Sequence, residues 1–390
     1  MSTLKVDAIR HNSATSDAIT TSSDGTCTAK LTSVAGSQLS HRNKARNGAM
    51  KISQRGTTFS PTTSSTQLID GWRTDHGSSG NLDTTVTQST DAPAGFTKSL
   101  KITPDSTLTP SGSQNGLLAH YLEGQDFQDL AFGTSDAKPI TVSWYAKTSA
   151  TGAGNYTVKV EYKDSSNNTY AVNKLFAFTT TWTRYTYTIP ATGTATTNGI
   201  VDSNGLGFRV EYHLFAGPDD VASQFTQWTI NPTPTFKVIS GQKNFMDNTN
   251  NELYITGLQI EVGDTATSFE HRSFGEELVR CQRYYQKYSA GGDCHMLAAR
   301  GEGSSSCVVG VPLCVPLRAQ PTVACGSHRW YRSSSVAYTT STTTPSVLTN
   351  DPDIFSPVIS IAAGGHTTSN NEAGVWTPHD DNNLTFSAEL

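Results

Sequence analysis

The 390-residue sequence has a formal net charge of −5, and only 16% of its residues are charged, so nothing in its electrostatics argues for a nucleic-acid partner. Its apolar share is 35% and its mean hydropathy −0.39, and no run approaches the roughly 20 apolar residues of a membrane-spanning helix. A long chain this polar forms several thin β layers or completes its cores by association with sister chains, because one thick core demands more Val, Ile, Leu and Phe.

The start, MSTLKVDAIRHNS, lacks the charged-then-apolar order of a secretion signal. Within the first block, 1–46, LKVDAI and DAITTSSDGTCTAKL read as short strands, with Asp24-Gly25 as a hairpin turn. Strands so short bury no core alone, so the block is either disordered or ordered against something else.

After the basic bridge HRNKARNG the texture changes to turn-bounded alternating runs: KSLKIT, PITVSWYAKT, YTVKVEY, TRYTYTI, LGFRVEYHLF, QWTI and ELYITGLQIEVG. Alternation of this kind predicts antiparallel strands with one buried face, assembled as a sandwich or jelly roll. In the last run Leu253 and Ile255 share one phase while Leu258, Ile260 and Val262 share the other. A β-bulge at Gly257 would keep both sets facing the core.

At Ser273 the period shifts. Ser273 with Glu276 fits a capping box, and Leu278, Cys281 and Tyr285 recur at helical spacing, predicting a short amphipathic helix over 273–288. In an oligomer that face would pack against neighbouring chains or the adjoining β domains. Beyond it CVVGVPLCVPL, PTVACG, HRWYRSSSVAYTTSTTT, SPVISIAAGG and LTFSAEL predict a second sandwich over 289–390.

The chemistry legible here is sparse. GxSxG, HExxH, Walker-type and GxGxxG signatures are missing, so no catalytic residue is assigned. Asp70, Asp75, Glu211, Asp219 and Asp220 read as solvated charge rather than acid–base pairs, and Asp380 and Asp381 as a turn rather than a calcium loop. Six cysteines without a CxxC pair predict buried free thiols, no metal and no cofactor. Aromatic rings suit the apolar faces of sugars while neighbouring polar groups bond the hydroxyls. Trp144 and Trp228, inside alternating strands, read as core. Trp72 and Asp75 in the loop-like DGWRTDHGSSG, and Trp330 and Tyr331 in HRWYRSSS, are the candidate carbohydrate-binding residues.

MSTLKVDAI, AITTSSDGTCTAKL, NGAMKISQRGT, LTFSAEL and above all QIEVGDTATSFEHRSFGEELVRCQRYYQK together resemble structural proteins of tailed bacteriophages, notably marine podovirus-type phages. The resemblance comes in islands along the whole chain and carries no catalytic residue. It implies a homotrimeric virion appendage, a tail fibre or a capsid or vertex fibre, that is not an enzyme. Its parts would be a virion-attachment region (1–46), a central jelly roll similar to carbohydrate-binding modules (47–272), the linking helix (273–288) and a distal β-sandwich (289–390). The implied partners are sister chains, other tail or capsid proteins, and a host-surface glycan, with neither nucleic acid nor membrane insertion. A purely structural connector and a polysaccharide depolymerase are the alternatives, the latter without the repeats of a β-helix.

Overall fold

The computed structural model describes residues 8–10, 19–23, 27–29, 40–61, 64–77, 82–192, 198–230, 238–288, 297–332, 338–348, 358–369, 371–379 and 383–390. The expected Asp24-Gly25 turn and Asp380 and Asp381 lie outside them. The chain is nearly all β, and its longest described helix is the nine-residue Phe274–Gln282.

Near the N-terminus, Ala8–Ile9, Ile19–Thr21 and Cys27–Ala29 form a three-stranded antiparallel sheet. The central body is a sandwich. One sheet has six strands, in the order Thr183–Ile189, Ile140–Thr148, Leu253–Val262, Ser99–Pro104, Thr84–Ser89 and Thr58–Phe59. The other has seven: Thr229–Ile230, Thr169–Phe178, Gly154–Lys163, Leu206–Ala216, Asn115–Glu123, Trp72–Gly77 and Ser65–Gln67. Alternate residues of each strand meet across one core, with Val142, Trp144, Ile255 and Ile260 on one side and Leu118, Val158, Val160 and Val210 on the other. Each such side chain contributes about 1.5–3 kcal/mol by leaving water.

The bulge forms where the alternation slips. Ser143 pairs with Gln259 but Tyr145 pairs with Thr256, so two residues of the long strand oppose Trp144 alone. Gly257 takes φ +66 there, the left-handed region that glycine enters without steric cost. Beyond the bulge a strap from the basic bridge replaces the neighbouring strand. Lys44 donates its backbone N–H to Ile260 O (2.9 Å) and Leu258 to Gly48 O (3.0 Å), while Asn43 Oδ1 accepts from Ile260 N at 3.1 Å. The boundary expected after Arg46 therefore falls inside a continuous buried strap, with Asn43, Ala45, Arg46 and Asn47 all packed into the sandwich.

Ser273 caps the helix, its Oγ accepting from Glu276 N at 3.2 Å. The helix ends at Gln282, earlier than its periodicity predicts, and Tyr285–Tyr288 is a strand paired with Leu384–Ser387. Leu278, Cys281 and Tyr285 thus do not make one helical face: Leu278 is half-buried, Cys281 buried, and Tyr285 lies in the strand with its ring 3.6 Å from the Arg55 guanidinium. Pairing with the terminal strand satisfies more backbone groups than another turn of free helix would, and tertiary contact overrides the local period.

The distal part holds a three-stranded sheet (Tyr285–Tyr288, Leu384–Ser387, Thr322–Ala324) and a seven-stranded one running from Tyr338–Ser341 through His328–Arg332, Ala373–Pro378, Leu297–Glu302, Ser306–Pro312 and Val358–Gly364 to Ser346–Val347. Its own core gathers Val309, Val311, Trp330, Ile361, Trp376 and Phe386. Beside it His328 Nδ1 faces His366 Nε2 at 2.8 Å and accepts from Trp376 Nε1 at 3.0 Å, and His328 Nε2 lies 2.8 Å from Thr343 O. With Nε2–H donating to that carbonyl, Nδ1 must stay an unprotonated acceptor. Burial pushes the His328 ring below its ordinary value, only partly offset by the Thr343 carbonyl, and burial together with Arg46 does the same to His120 in the central core. In both cases the unfolded chain takes up the proton first. Stability contributed by the neutral rings is therefore whole above about pH 6.5 and falls as pH drops below it. Chemical-denaturation midpoints between pH 8 and pH 5 should show this loss, and His328→Phe should flatten the slope; a pH-independent midpoint would refute it.

Candidate functional site

Two polar arrays lie on the outer faces of the central sandwich, and only one is open. On the seven-stranded sheet Lys159, Glu161, Arg209 and Glu211 form a checkerboard across neighbouring strands, with Lys159 opposite Glu211 and Glu161 opposite Arg209. Lys159 Nζ lies 2.6 Å from Glu161 and 2.8 Å from Glu211, Arg209 bonds both carboxylates, and His213 Nε2 is 3.1 Å from Glu211. The side chains of Lys159 and Glu211 are 4% and 3% exposed, so no substrate reaches between them. Burial opposes ionisation of Glu211, yet Arg209 and Lys159 hold its carboxyl well below the usual carboxylate range, the wrong state for a general acid. Leu206 and Leu390 cover the apolar patch of Leu117, Ala119 and Tyr121 on the same face.

The six-stranded sheet presents a different surface. Lys147, Tyr254 and Lys101 stand directly opposite one another on three adjacent strands, and Trp182, in the turn before Thr183–Ile189, extends the row. Trp182 is half-buried, and its ring meets Tyr254 edge-on at 6.1 Å and 70°. Its indole N–H donates to Asp91 Oδ1 at 2.9 Å, which fixes the ring plane, and Lys147 bonds the other Asp91 oxygen. Lys147 Nζ sits 4.7 Å from the Tyr254 centroid and 5.5 Å from that of Trp182. At the far end Glu252 accepts from Lys101 (2.5 Å) and from Tyr254 OH (2.9 Å).

The two carboxylates keep contact with water, Asp91 being 43% and Glu252 34% exposed. Hydrogen bonds from Lys147 and from Lys101, respectively, hold them below their ordinary values, so both are ionised acceptors at neutral pH. A half-exposed indole held in one orientation, flanked by ionised acceptors and ammonium donors, supplies the two things that a sugar ring demands: an apolar plane and polar groups for hydroxyls.

The residues expected to bind carbohydrate do not assemble there. Trp72 and Trp330 are fully buried; the expectation of exposure fails because WRTDHG and HRWYR are strands, not loops. Trp72 packs on His120 (5.0 Å) and Tyr212 (6.2 Å), and Trp330 joins the distal core. Asp75 points outward on the sealed face, bonded to Arg73 at 2.6 Å and to Tyr121 OH at 2.8 Å. Tyr331, half-buried, lies on the opposite side of its strand from Trp330. Trp228 packs against the central core and Trp144 lies within it. Asp70 is buried against Gln54, and Asp220 accepts from Asn115. Among the described residues no group of three or more His, Cys, Asp and Glu is placed to hold a metal ion. Of the described cysteines, Cys281, Cys307 and Cys325 are buried free thiols and Cys314 is exposed.

No protein-family model and no curated protein matches the chain. Among solved structures it is similar to the enzymatically active domain of bacteriophage CBA120 tailspike protein 4, at 10% identity and a TM-score of 0.31, over 56% of this chain and 21% of that one. It is also similar to the CBM22-1 xylan-binding domain of Paenibacillus barcinonensis Xyn10C (14% identity, TM-score 0.26, 54% of this chain and 94% of that one). A third is the family 11 carbohydrate-binding module of Clostridium thermocellum Lic26A-Cel5E (7%, 0.27, 52% and 93%). The chain thus spans about a fifth of the tailspike domain it overlaps. Likenesses this low assign no role to any residue here.

Proposed function

We propose that this protein is a non-enzymatic appendage of a tailed-phage particle that binds host-surface glycans through the Trp182–Tyr254 row. The observation that carries the glycan part is the half-exposed Trp182 ring, locked by Asp91 and bordered by solvent-accessible carboxylates and ammonium groups. The phage-like sequence islands support the particle and the homotrimer, whose sister chains would cover the exposed Phe274 (61%) and Val279 (50%) of the short helix. The sealed state of the Glu161–Glu211 pair supports a role without hydrolysis.

A glycan array probed with the purified protein tests the binding. Retention of at least one host-type polysaccharide is expected, and Trp182→Ala should weaken it about tenfold or more, as for a central aromatic anchor, with an unchanged melting curve. No retained glycan, or equal retention by the variant, would sink the reading. Light scattering should report three chains, cryo-electron microscopy of the particle should place them on its surface, and incubation with the retained polysaccharide should release no oligosaccharide.

A further inference from the structure

A cleft of about 150 Å³ opens between the sandwich and the short helix, lined by Lys44, Arg46, Arg280 and Arg283 together with Asp126, Tyr284 and Leu122. Its wall brings together five segments: the buried strap, the strand Asn115–Glu123, the 3-10 turn Gly124–Leu130, the helix, and the turn that follows it. Four of the seven lining side chains are cations, and each is braced by a carboxylate. Lys44 lies 2.8 Å from Asp129, Arg46 3.3 Å from Glu389, Arg283 2.9 Å from Glu123 and Arg280 3.6 Å from Glu276.

These braces leave donors on Arg46 and Arg280, whereas Lys44 Nζ, which gives hydrogen bonds to Asp126 O at 2.7 Å and Asp129 Oδ2 at 2.9 Å, keeps one N–H. Arg46 gives Nη1 to Tyr121 O at 2.7 Å and Nη2 to Glu389, and its guanidinium lies 3.6 Å from the Tyr284 centroid. Its Nε is buried and has no hydrogen-bond partner, although the side chain is only 7% exposed. A guanidinium N–H left dry and unmatched is unfavourable, and this one packs beside Gly71, where an added Cβ would stand 3.1 Å from it. The Arg280–Glu276 contact exceeds hydrogen-bonding range, so that guanidinium too has donors to offer. A cleft of this volume has room for one tetrahedral or carboxylate anion, or for a single sugar residue.

We propose that this cleft binds a small oxyanion, either free or as the acid group of a charged sugar, with Arg46, Arg280 and Lys44 as donors. Planar, multi-donor guanidinium groups suit carboxylate and sulfate oxygens better than point charges do. Asp126, the one lining carboxylate, would repel a bare anion but accept a hydroxyl from a sugar acid. The bracing carboxylates offset the cations' charge, so recognition rests on donor geometry and the affinity expected is millimolar.

Titration calorimetry at constant ionic strength tests this on the intact chain, with sodium sulfate, glucuronate and glucose as probes. Saturable binding of sulfate or glucuronate, none of glucose, and about a tenfold loss in Arg280→Gln, the effect of one charge-assisted hydrogen bond, is the expected result. Arg280 is 38% exposed, so that variant folds, as an unchanged melting curve will show; Lys44→Gln is the second variant. Glucuronate tighter than sulfate identifies a charged sugar as the ligand, and sulfate as tight or tighter identifies a free ion. Binding of neither, or binding unaltered in both variants, overturns the proposal. Because Trp182→Ala leaves this cleft untouched, oxyanion binding that persists in that variant separates the cleft from the glycan row.

Discussion

Gly257→Val is expected to lower the melting temperature of the central sandwich by roughly 6–12 °C, corresponding to about 3 kcal/mol at ~2–4 °C per kcal/mol for a body of this size. Two costs combine. A non-glycine residue held at φ +66 loses about 1–2 kcal/mol to the clash of its Cβ with the backbone carbonyl. The added Cβ would also stand 2.8 Å from the Phe96 ring and 2.9 Å from the Tyr145 ring, inside van der Waals contact, and overpacking of that kind costs about 1–3 kcal/mol. The residue cannot relax to an ordinary φ without straightening the bulge, and a straight strand would turn Leu258, Ile260 and Val262 out of the core. Gly257→Ala should show a smaller loss of the same sign. Calorimetric melting checks both, and a variant as stable as the parent would mean that the bulge is dispensable.

Lys159→Met should cost roughly 3 kcal/mol or more, the range found when one partner of a buried ion pair is removed. The methionine fills much of the space of the lysine stem, so the loss is electrostatic: Glu161 and Glu211 remain buried with Arg209 as their remaining strong cation. Burial works against the charge on Lys159, but Glu211 and Glu161 together raise its proton affinity. The network's stability is thus present while Glu211 is ionised and is lost only as pH falls through its folded-state value, which lies well below the usual carboxylate range. Denaturation curves at pH 7 and at a pH well below the usual carboxylate range should therefore differ, with the variant's deficit shrinking in acid. A matched control is Lys147→Met on the open face, whose half-exposed pair with Asp91 should contribute less than about 1 kcal/mol. Equal losses in the two variants would refute the distinction between the sealed and open arrays.

How much was legible in the sequence varies by element. The strand runs around Val142, Val158, Val210 and Ile260 are plain because apolar and polar residues alternate along each, even where the polar face is itself buried. Asn115–Glu123 escapes that reading: Leu117, Leu118, Ala119 and Leu122 show no alternation, since Leu206 and Leu390 cover the outer face of this interior strand. Trp72 misleads for a related reason, its Gly, Asp and Ser neighbours suggesting a loop around what is a core strand. The Trp182 row is invisible in one dimension, because its ring is oriented by Asp91 and edged by Tyr254, 91 and 72 residues away; the sole local sign is a lone tryptophan in a threonine-rich turn.

By itself the sequence determined the all-β class, the slip at Gly257 and the Ser273 cap, since each depends on spacing between near neighbours along the chain. Only the tertiary structure decided where the helix stops, which rings are dry, and which charges are sealed. Those outcomes depend on what lies on the far side of a strand, and a backbone whose side chains alternate between two faces does not record in its own order which face another segment will cover.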